Sequence, residues 1–252
     1  MKHVAFALGA VLALAGPVRS TTPDNLPAYV VKAVAAGDRR DQAETDKRRH
    51  PAEILALAGV KPGDTVAELI PGSGYYTRLF SKIVGPTGHV FAIWPAEYDK
   101  VSHPDSDNLI ALSKTKAYAN ITVLIEPAKD FSTPVPVNLV FTSLNYHDYP
   151  DKFMGPTDPA ILDQQVFKAL RAGGSFFIID HMAQEGSGLR DTETLHRIDP
   201  WIVKRQVMAA GFMYAGSTAV LRNVTDDHTK PVFDPSVRGH TDQFVLKFRK
   251  SY

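Results

Sequence analysis

Short apolar runs separated by amphipathic stretches set the plan of this chain. Val66, Ala67, Leu69 and Ile70 form an apolar run broken only by Glu68, and Pro71, Gly72 and Gly74 follow as a stop signal. Residues 75–84 then place Leu79, Phe80 and Ile83 at helical spacing with Thr77 and Arg78 turned outward, which predicts a helix. Strand, glycine turn and helix in succession make a cradle. Glycines without a β-carbon let a ligand approach the backbone, and the unpaired N–H groups at a helix start carry partial positive charge. A lone G-x-G also occurs in plain turns, so the rest of the chain must decide its meaning.

The alternation continues downstream. Strands are predicted at 89–93, 121–125, 137–144 and 175–180, and helices at 51–59, 105–119 and 158–172, with a short helix near 29–34. Pro51 and Gly59 cap the first long helix, and Gly173 with Gly174 turns the last into its strand. This order predicts an α/β fold, a parallel sheet with helices on both faces, whose ligands sit at the carboxyl ends of the strands. The rule gathers residues 68–75, 94–97, Asp130, the cluster Asn145, Tyr146, His147 and Asp148, and Asp180 with His181 on one sheet edge. The tail differs: a helix at 200–210, a strand at 212–220, a polar stretch at 222–239 and a last strand at 243–248. With no helix between them, the last two strands should pair antiparallel. The polar stretch exceeds ordinary loop length and reads as a lid or a disordered segment.

Composition adds compartment and excludes partners. Lys2 and His3 precede an apolar or small run over 4–15, then Gly16, Pro17, Val18, Arg19 and Ser20. The run is too short to span a bilayer and has the shape of a secretory signal, cleaved after Ala15 or, preferably, Ser20, so the mature protein is expected to be periplasmic or secreted with no stable membrane insertion. The chain divides into a signal at 1–20, an N-terminal arm or linker at 21–46, and one domain at 47–252. Within 38–50, nine of thirteen residues are charged with mixed sign, which reads as a solvated helical face or linker, or else as an arm folding over a ligand. Without residues 1–20 the 28 basic and 27 acidic side chains become 26 and 27, so nothing attracts nucleic acid. The absence of cysteine excludes disulfides, thiolate metal sites and a cysteine nucleophile.

Several ordered motifs carry a family likeness: VAELIPGSGYYT (66–77), GPTGHVFAI (85–93), NLVFTSLNYHD (138–148), LRAGGSFFIIDH (170–181), LHRID (195–199), VMAAGF (207–212) and TDQFVLKFRK (241–250). Through them the chain resembles the class I S-adenosylmethionine-dependent methyltransferases, and among these a bacterial group of exported predicted methyltransferases. The resemblance implies a Rossmann-like doubly wound sheet of seven strands with an antiparallel C-terminal hairpin, and S-adenosylmethionine as cofactor. It implies that Glu68 faces the methionine part of the cofactor, that Gly72, Ser73 and Gly74 let it pass, and that Asp130 with Phe131 meets the adenine. One position departs from the family pattern. Strand two commonly ends in an acid that holds the ribose hydroxyls, whereas here Ile93, Trp94 and Pro95 stand there and Glu97 is the nearest carboxylate. Trp94 stacking on adenine, or Glu97 reaching back, would fill the gap. The same gap, with a missing third glycine, counts against NAD.

Methyl transfer from a sulfonium is an in-line displacement, so the protein must align an acceptor and remove its proton. His147 is the candidate base, since histidine titrates near neutrality, with Asp148 orienting it and Tyr146 or Asn145 holding the acceptor. The alternative is a loop histidine bonded to backbone. His181 reads as structural or as a substrate contact. His196 and Arg197 are substrate candidates, Arg197 through a two-pronged grip on a carboxylate or, equally, a structural ion pair. His147, Asp148, Asp180 and His181 carry donor types that suit a divalent ion, but no H-x-x-x-H or H-E-x-x-H spacing supports one, and no metal is assigned. The expected acceptor is a small molecule or a side chain. Two other classes compete: a non-catalytic ligand-binding protein on the same fold, and a metal-dependent hydrolase or lyase.

Overall fold

The computed structural model describes residues 26–155 and 158–251; the predicted signal at 1–20 lies outside the described residues. The chain runs α1 (Ala28–Val34), α2 (Ala43–Arg49), α3 (Pro51–Ala58), β1 (Thr65–Leu69), α4 (Tyr75–Val84), β2 (His89–Pro95), α5 (Ala96–Ser113) and β3 (Ile121–Glu126). It continues through β4 (Val137–Ser143), α6 (Pro159–Ala169), β5 (Leu170–His181), α7 (Thr192–Leu195), α8 (Pro200–Ala209), β6 (Met213–Thr218) and β7 (Gln243–Arg249). Seven strands form one sheet in the order β3-β2-β1-β4-β5-β7-β6. The first five are parallel, and β7 pairs antiparallel with both β5 and β6. The expected doubly wound sheet with a C-terminal hairpin is the fold observed.

Side-chain alternation along the buried strands fills two cores. Val66, Val90, Ala92, Leu139, Phe141, Phe177 and Ile179 meet Val30, Ile54, Leu55, Leu79 and Phe80 from α1, α3 and α4. Ala67, Leu69, Ile93, Val140, Phe176 and Ile178 meet Leu162, Val166, Val203 and Val207 from α6 and α8 on the other face. Strands covered on both sides read as near-continuous apolar runs, which is why the sequence shows them so plainly. Among the described residues, no helix is long and apolar enough to cross a membrane.

Three expectations need correcting. The helix expected at 105–119 begins at Ala96, directly after β2, and carries Pro104 across a kink with Ser102 at non-helical angles; proline conceals the helical pattern there. Gly173 and Gly174 lie within β5 rather than in a turn before it, where the β4–β5 register shifts. The charged stretch 38–50 is not simply a solvated face: Arg39 is 1% exposed, and α1 ahead of it packs Val30 and Ala33 into the core.

The strand order reverses between β1 and β4, so their carboxyl ends open the crevice in which doubly wound sheets hold ligands. Both strands end on a bulky residue in the left-handed region, Ile70 (φ 50°) and Leu144 (φ 65°). Such angles are strained for residues with a β-carbon. Backbone bonds hold both in place: the Ile70 N–H donates to Ile93 O at 2.9 Å and the Leu144 N–H to Ile179 O at 2.8 Å. The two bends turn the chain away from the sheet at neighbouring strand ends and fix where the next residues project.

Candidate active site

The glycine turn after β1 has two distinct halves. At Gly72 (φ +55°) a β-carbon would meet nothing within 4 Å, so the backbone there is open. At Gly74 (φ +80°) it would lie 2.8 Å from Leu109 Cδ1, so this glycine lets α5 pack against the start of α4. Ser73 between them is exposed. Glu68, one residue before the end of β1, is 3% exposed and accepts a 2.6 Å hydrogen bond from the Thr77 hydroxyl. Burial pushes its carboxyl up to about 8, against the opposing influence of the Thr77 bond and the Arg49 charge.

The N-terminal segment closes against the start of α4. The Tyr75 hydroxyl donates to Asp46 Oδ1 at 2.7 Å, and the same oxygen receives the Arg39 guanidinium at 2.9 Å. Arg49 lies 4.8 Å from the Tyr75 ring centre and 5.7 Å from that of Tyr76. Tyr75 is thereby tied to α2.

Beyond β4 the chain makes a single tight turn over Tyr146–Asp148. Its first residue points into the core. Tyr146 is fully buried, and its hydroxyl lies 3.1 and 3.0 Å from the two Asp163 carboxylate oxygens. This corrects the expectation that Tyr146 holds an acceptor. His147 is 3% exposed and doubly tied to Asp180 at the end of β5: Nδ1 lies 2.7 Å from Oδ1, and the backbone N–H donates to Oδ2 at 2.8 Å. Its Nε2 faces Asp148 Oδ1 at 3.3 Å. Burial works to lower the His147 pKa, but the Asp180 and Asp148 carboxylates outweigh it and hold the ring up to about 9. In this state the imidazole is protonated at neutral pH, which corrects the picture of a free neutral base.

His196 enters from the far side of the chain. It caps α7 in the left-handed region (φ 54°), which directs its ring 5.5 Å from that of His147 and its Nδ1 3.8 Å from Asp148 Oδ1. Phe233, 59% exposed in the long polar stretch, packs on its other side at 4.9 Å. Asn145 offers its amide to Tyr98 Oη and Asp148 Oδ2, each at 3.4 Å. His181 stands behind the cluster, 5.9 Å from the His147 ring, with Nδ1 2.7 Å from the Thr241 hydroxyl. Burial, then the charges of His147 and Arg197, hold its pKa well below the ordinary value, so it stays neutral.

Other expected contacts fall elsewhere. Arg197 is fully buried and donates to Asp226 Oδ1, Lys230 O and Met182 O at 2.9–3.0 Å, so it pins the polar stretch rather than gripping a substrate. Asp242 pins the same stretch by accepting from Arg222, Asn223 and His228. This long segment is neither a free lid nor unstructured. Trp94 is 0% exposed with its ring 5.8 Å from Tyr98, so no face is open for an adenine. Glu97 accepts from the Ala128 N–H at 2.8 Å and ties β2 to the loop after β3 instead of standing free. Phe131 is 5% exposed in the core while Asp130 points to solvent. A cavity of about 1010 Å³ lined by Tyr29, Lys82, His89 and Asn120 lies at the amino ends of the strands, opposite this site.

Sequence reasoning missed Asp180 as the anchor of His147, and missed Asp151 and Tyr98 altogether. Asp180 closes an apolar strand at the edge already singled out, a signal that was readable. Asp151 follows the cluster by only three residues, whereas nothing in the order of residues links Tyr98 to it.

No family model matches the chain. A protein-L-isoaspartate O-methyltransferase from Ignicoccus hospitalis is 29% identical over 93 residues, 36% of this chain and 41% of its own, so the chain spans about two fifths of that relative. Among solved structures, a SAM-dependent methyltransferase from Aquifex aeolicus is similar over 87% of this chain and 96% of its own, with 17% identity and a TM-score of 0.57. The [4+2]-cyclase SpnF is similar over 87% of this chain and 85% of its own, with 12% identity and a TM-score of 0.59. Strand order, the terminal hairpin and these likenesses agree: the chain has the Rossmann-like fold of the class I methyltransferases.

Proposed function

We infer that this protein is an S-adenosylmethionine-dependent methyltransferase acting on a small molecule or an accessible side chain. The observation that carries the reading is the open backbone at Gly72 beside the buried Glu68 carboxylate, on the same sheet edge as the His147–Asp148–His196 cluster. The likeness to an O-methyltransferase supports it, although the fold alone does not, because one similar structure is a cyclase.

The residues fit one half of the cofactor better than the other. The open turn, the N–H groups at the start of α4 and Glu68 suit a zwitterionic, cationic methionine end. At the ribose end no free acid closes β2, since Glu97 binds the Ala128 N–H. When bound, the cofactor supplies an electrophilic methyl group on a sulfonium. Glu68 balances positive charge in a dry site, Asn145 orients an acceptor beside Tyr98, and the Asp148–His196 pair, next to the protonated His147, receives the acceptor's proton. The same reading takes residues 1–20 as a secretory signal, which an N-terminal mass measurement on the exported protein tests.

Calorimetric titration with S-adenosylmethionine and S-adenosylhomocysteine tests the assignment. Saturable heat is expected; folded protein that gives none at millimolar ligand would refute it. Neither competing class, a non-catalytic binder or a metal-dependent hydrolase or lyase, finds support in the comparisons.

A further inference from the structure

We propose that His147, Asp148 and His196 form a binding site for a divalent metal ion of the zinc type, through His147 Nε2, an Asp148 carboxylate oxygen and a His196 ring nitrogen. These three donors lie within 4.8 Å of one another. His147 Nε2 is 3.3 Å and His196 Nδ1 3.8 Å from Asp148 Oδ1. Tetrahedral bonds of about 2.0–2.1 Å place neighbouring donors roughly 3.3–3.4 Å apart, so both pairs with Asp148 already lie near metal-binding spacing.

Two further features point to a cation. The first is the Asp180 contact. With Nδ1–H directed at Oδ1 and the backbone N–H on Oδ2, Asp180 fixes the ring and aims Nε2 toward Asp148, where a metal ion would take the place of the Nε2 proton. A carboxylate behind a ligating histidine is the common outer arrangement of zinc sites, where it sets the tautomer. The second is Asp151. It is 1% exposed, and neither carboxylate oxygen carries a hydrogen bond. The Thr192 hydroxyl stands beside it and also reaches Leu189 O at 3.2 Å. Asp151 interacts electrostatically with His147, Asp148 and His196 together. A buried carboxylate whose field acts on two histidines and an acid favours positive charge among them, which a metal ion would supply in place of the His147 proton.

Nitrogen and carboxylate donors without sulfur suit zinc, iron(II) or manganese over copper(I). Three protein ligands leave a position for water or for an oxygen of a bound molecule. Metal binding itself does not depend on the methyl-transfer reading; only a role in holding an acceptor's oxygen rests on it.

The test uses the whole chain, stripped with chelator and titrated with zinc alone, so its failure is separable from a failure to bind S-adenosylmethionine. One zinc per chain is expected, with X-ray absorption showing two imidazoles and no sulfur at about 2.0–2.1 Å. His196→Asn is chosen because asparagine tolerates the left-handed backbone at 196. It should weaken zinc at least tenfold, whereas His103→Asn on the exposed face of α5 should not change it. Absence of saturable zinc binding by folded protein would overturn the proposal. So would fewer than two imidazoles in the absorption spectrum of the unsubstituted chain, or affinity unchanged within twofold in His196→Asn.

Discussion

His147 and Asp180 face each other across the ends of β4 and β5, with Nδ1 2.7 Å from Oδ1 and the His147 backbone N–H 2.8 Å from Oδ2. Because both the ring and the main chain of residue 147 rest on one carboxylate, orientation and charge at this position are set together. Asp180 is 0% exposed, so the contact is made away from water, where such bonds are strong and their loss is costly. Asp180→Asn should keep one bond to the turn but remove the charge, costing about 3–5 kcal/mol of unfolding free energy in denaturant titration. It should also lower the His147 pKa, read from the ring protons by NMR. An unchanged His147 titration would show that Asp180 does not control the ring.

The two glycines of the cradle should behave differently. Gly72→Ala adds a β-carbon into open space and costs only backbone strain, roughly 1–2 kcal/mol. Gly74→Ala adds the same strain and a 2.8 Å contact with Leu109 Cδ1, so its loss in denaturant midpoint should be the larger. Gly72→Asp should abolish the heat of S-adenosylmethionine binding with circular dichroism unchanged, because it places a carboxylate where the ligand must pass. Retained binding in Gly72→Asp would move the cofactor site elsewhere.

Glu68 predicts a pH dependence of stability whose sign is definite. Its ordinary carboxyl value is 4.5 and burial raises it to about 8, so between these values the folded protein holds a proton that the unfolded chain has released. Stability therefore falls as pH rises through this window, by up to something on the order of 5 kcal/mol, and levels off above it. Glu68→Gln should flatten the fall, measured as unfolding free energy at pH 5, 7 and 9. A cationic ligand beside Glu68 favours its ionised form, so affinity for S-adenosylmethionine should rise toward pH 8 in the unsubstituted protein and not in Glu68→Gln.

Arg197 holds the long polar segment through Asp226, with both side chains fully buried. Arg197→Ala leaves the Asp226 carboxylate without its cation and should cost about 3–5 kcal/mol. The amides of residues 222–242 should then exchange faster in hydrogen-exchange experiments than those of β5. Faster exchange confined to α8 instead would contradict the pinning role. Because Phe233 rests on His196, the same substitution should also loosen the His196 ring.

By itself the sequence determined the sheet and the edge that matters. Central strands covered on both faces must be apolar throughout, and helices between them must show a 3.6-residue period, so β1 to β4 and the cradle helix could be read to within a residue or two, while the glycines hid the first half of β5. Proline inside α5 hid the first half of that helix, because proline removes a backbone donor and reads in a sequence as a helix boundary. The cluster's membership was decided only in three dimensions. Tyr146 and His147 are adjacent, yet one bonds Asp163 in the core and the other Asp180 at the strand end. His196 and Arg197 are adjacent too, yet one turns to Asp148 and the other to Asp226. Neighbours in a tight turn or past a left-handed residue point in unrelated directions, so burial and charge pairing, which depend on strands far apart in the chain, determined which of each pair faces the site.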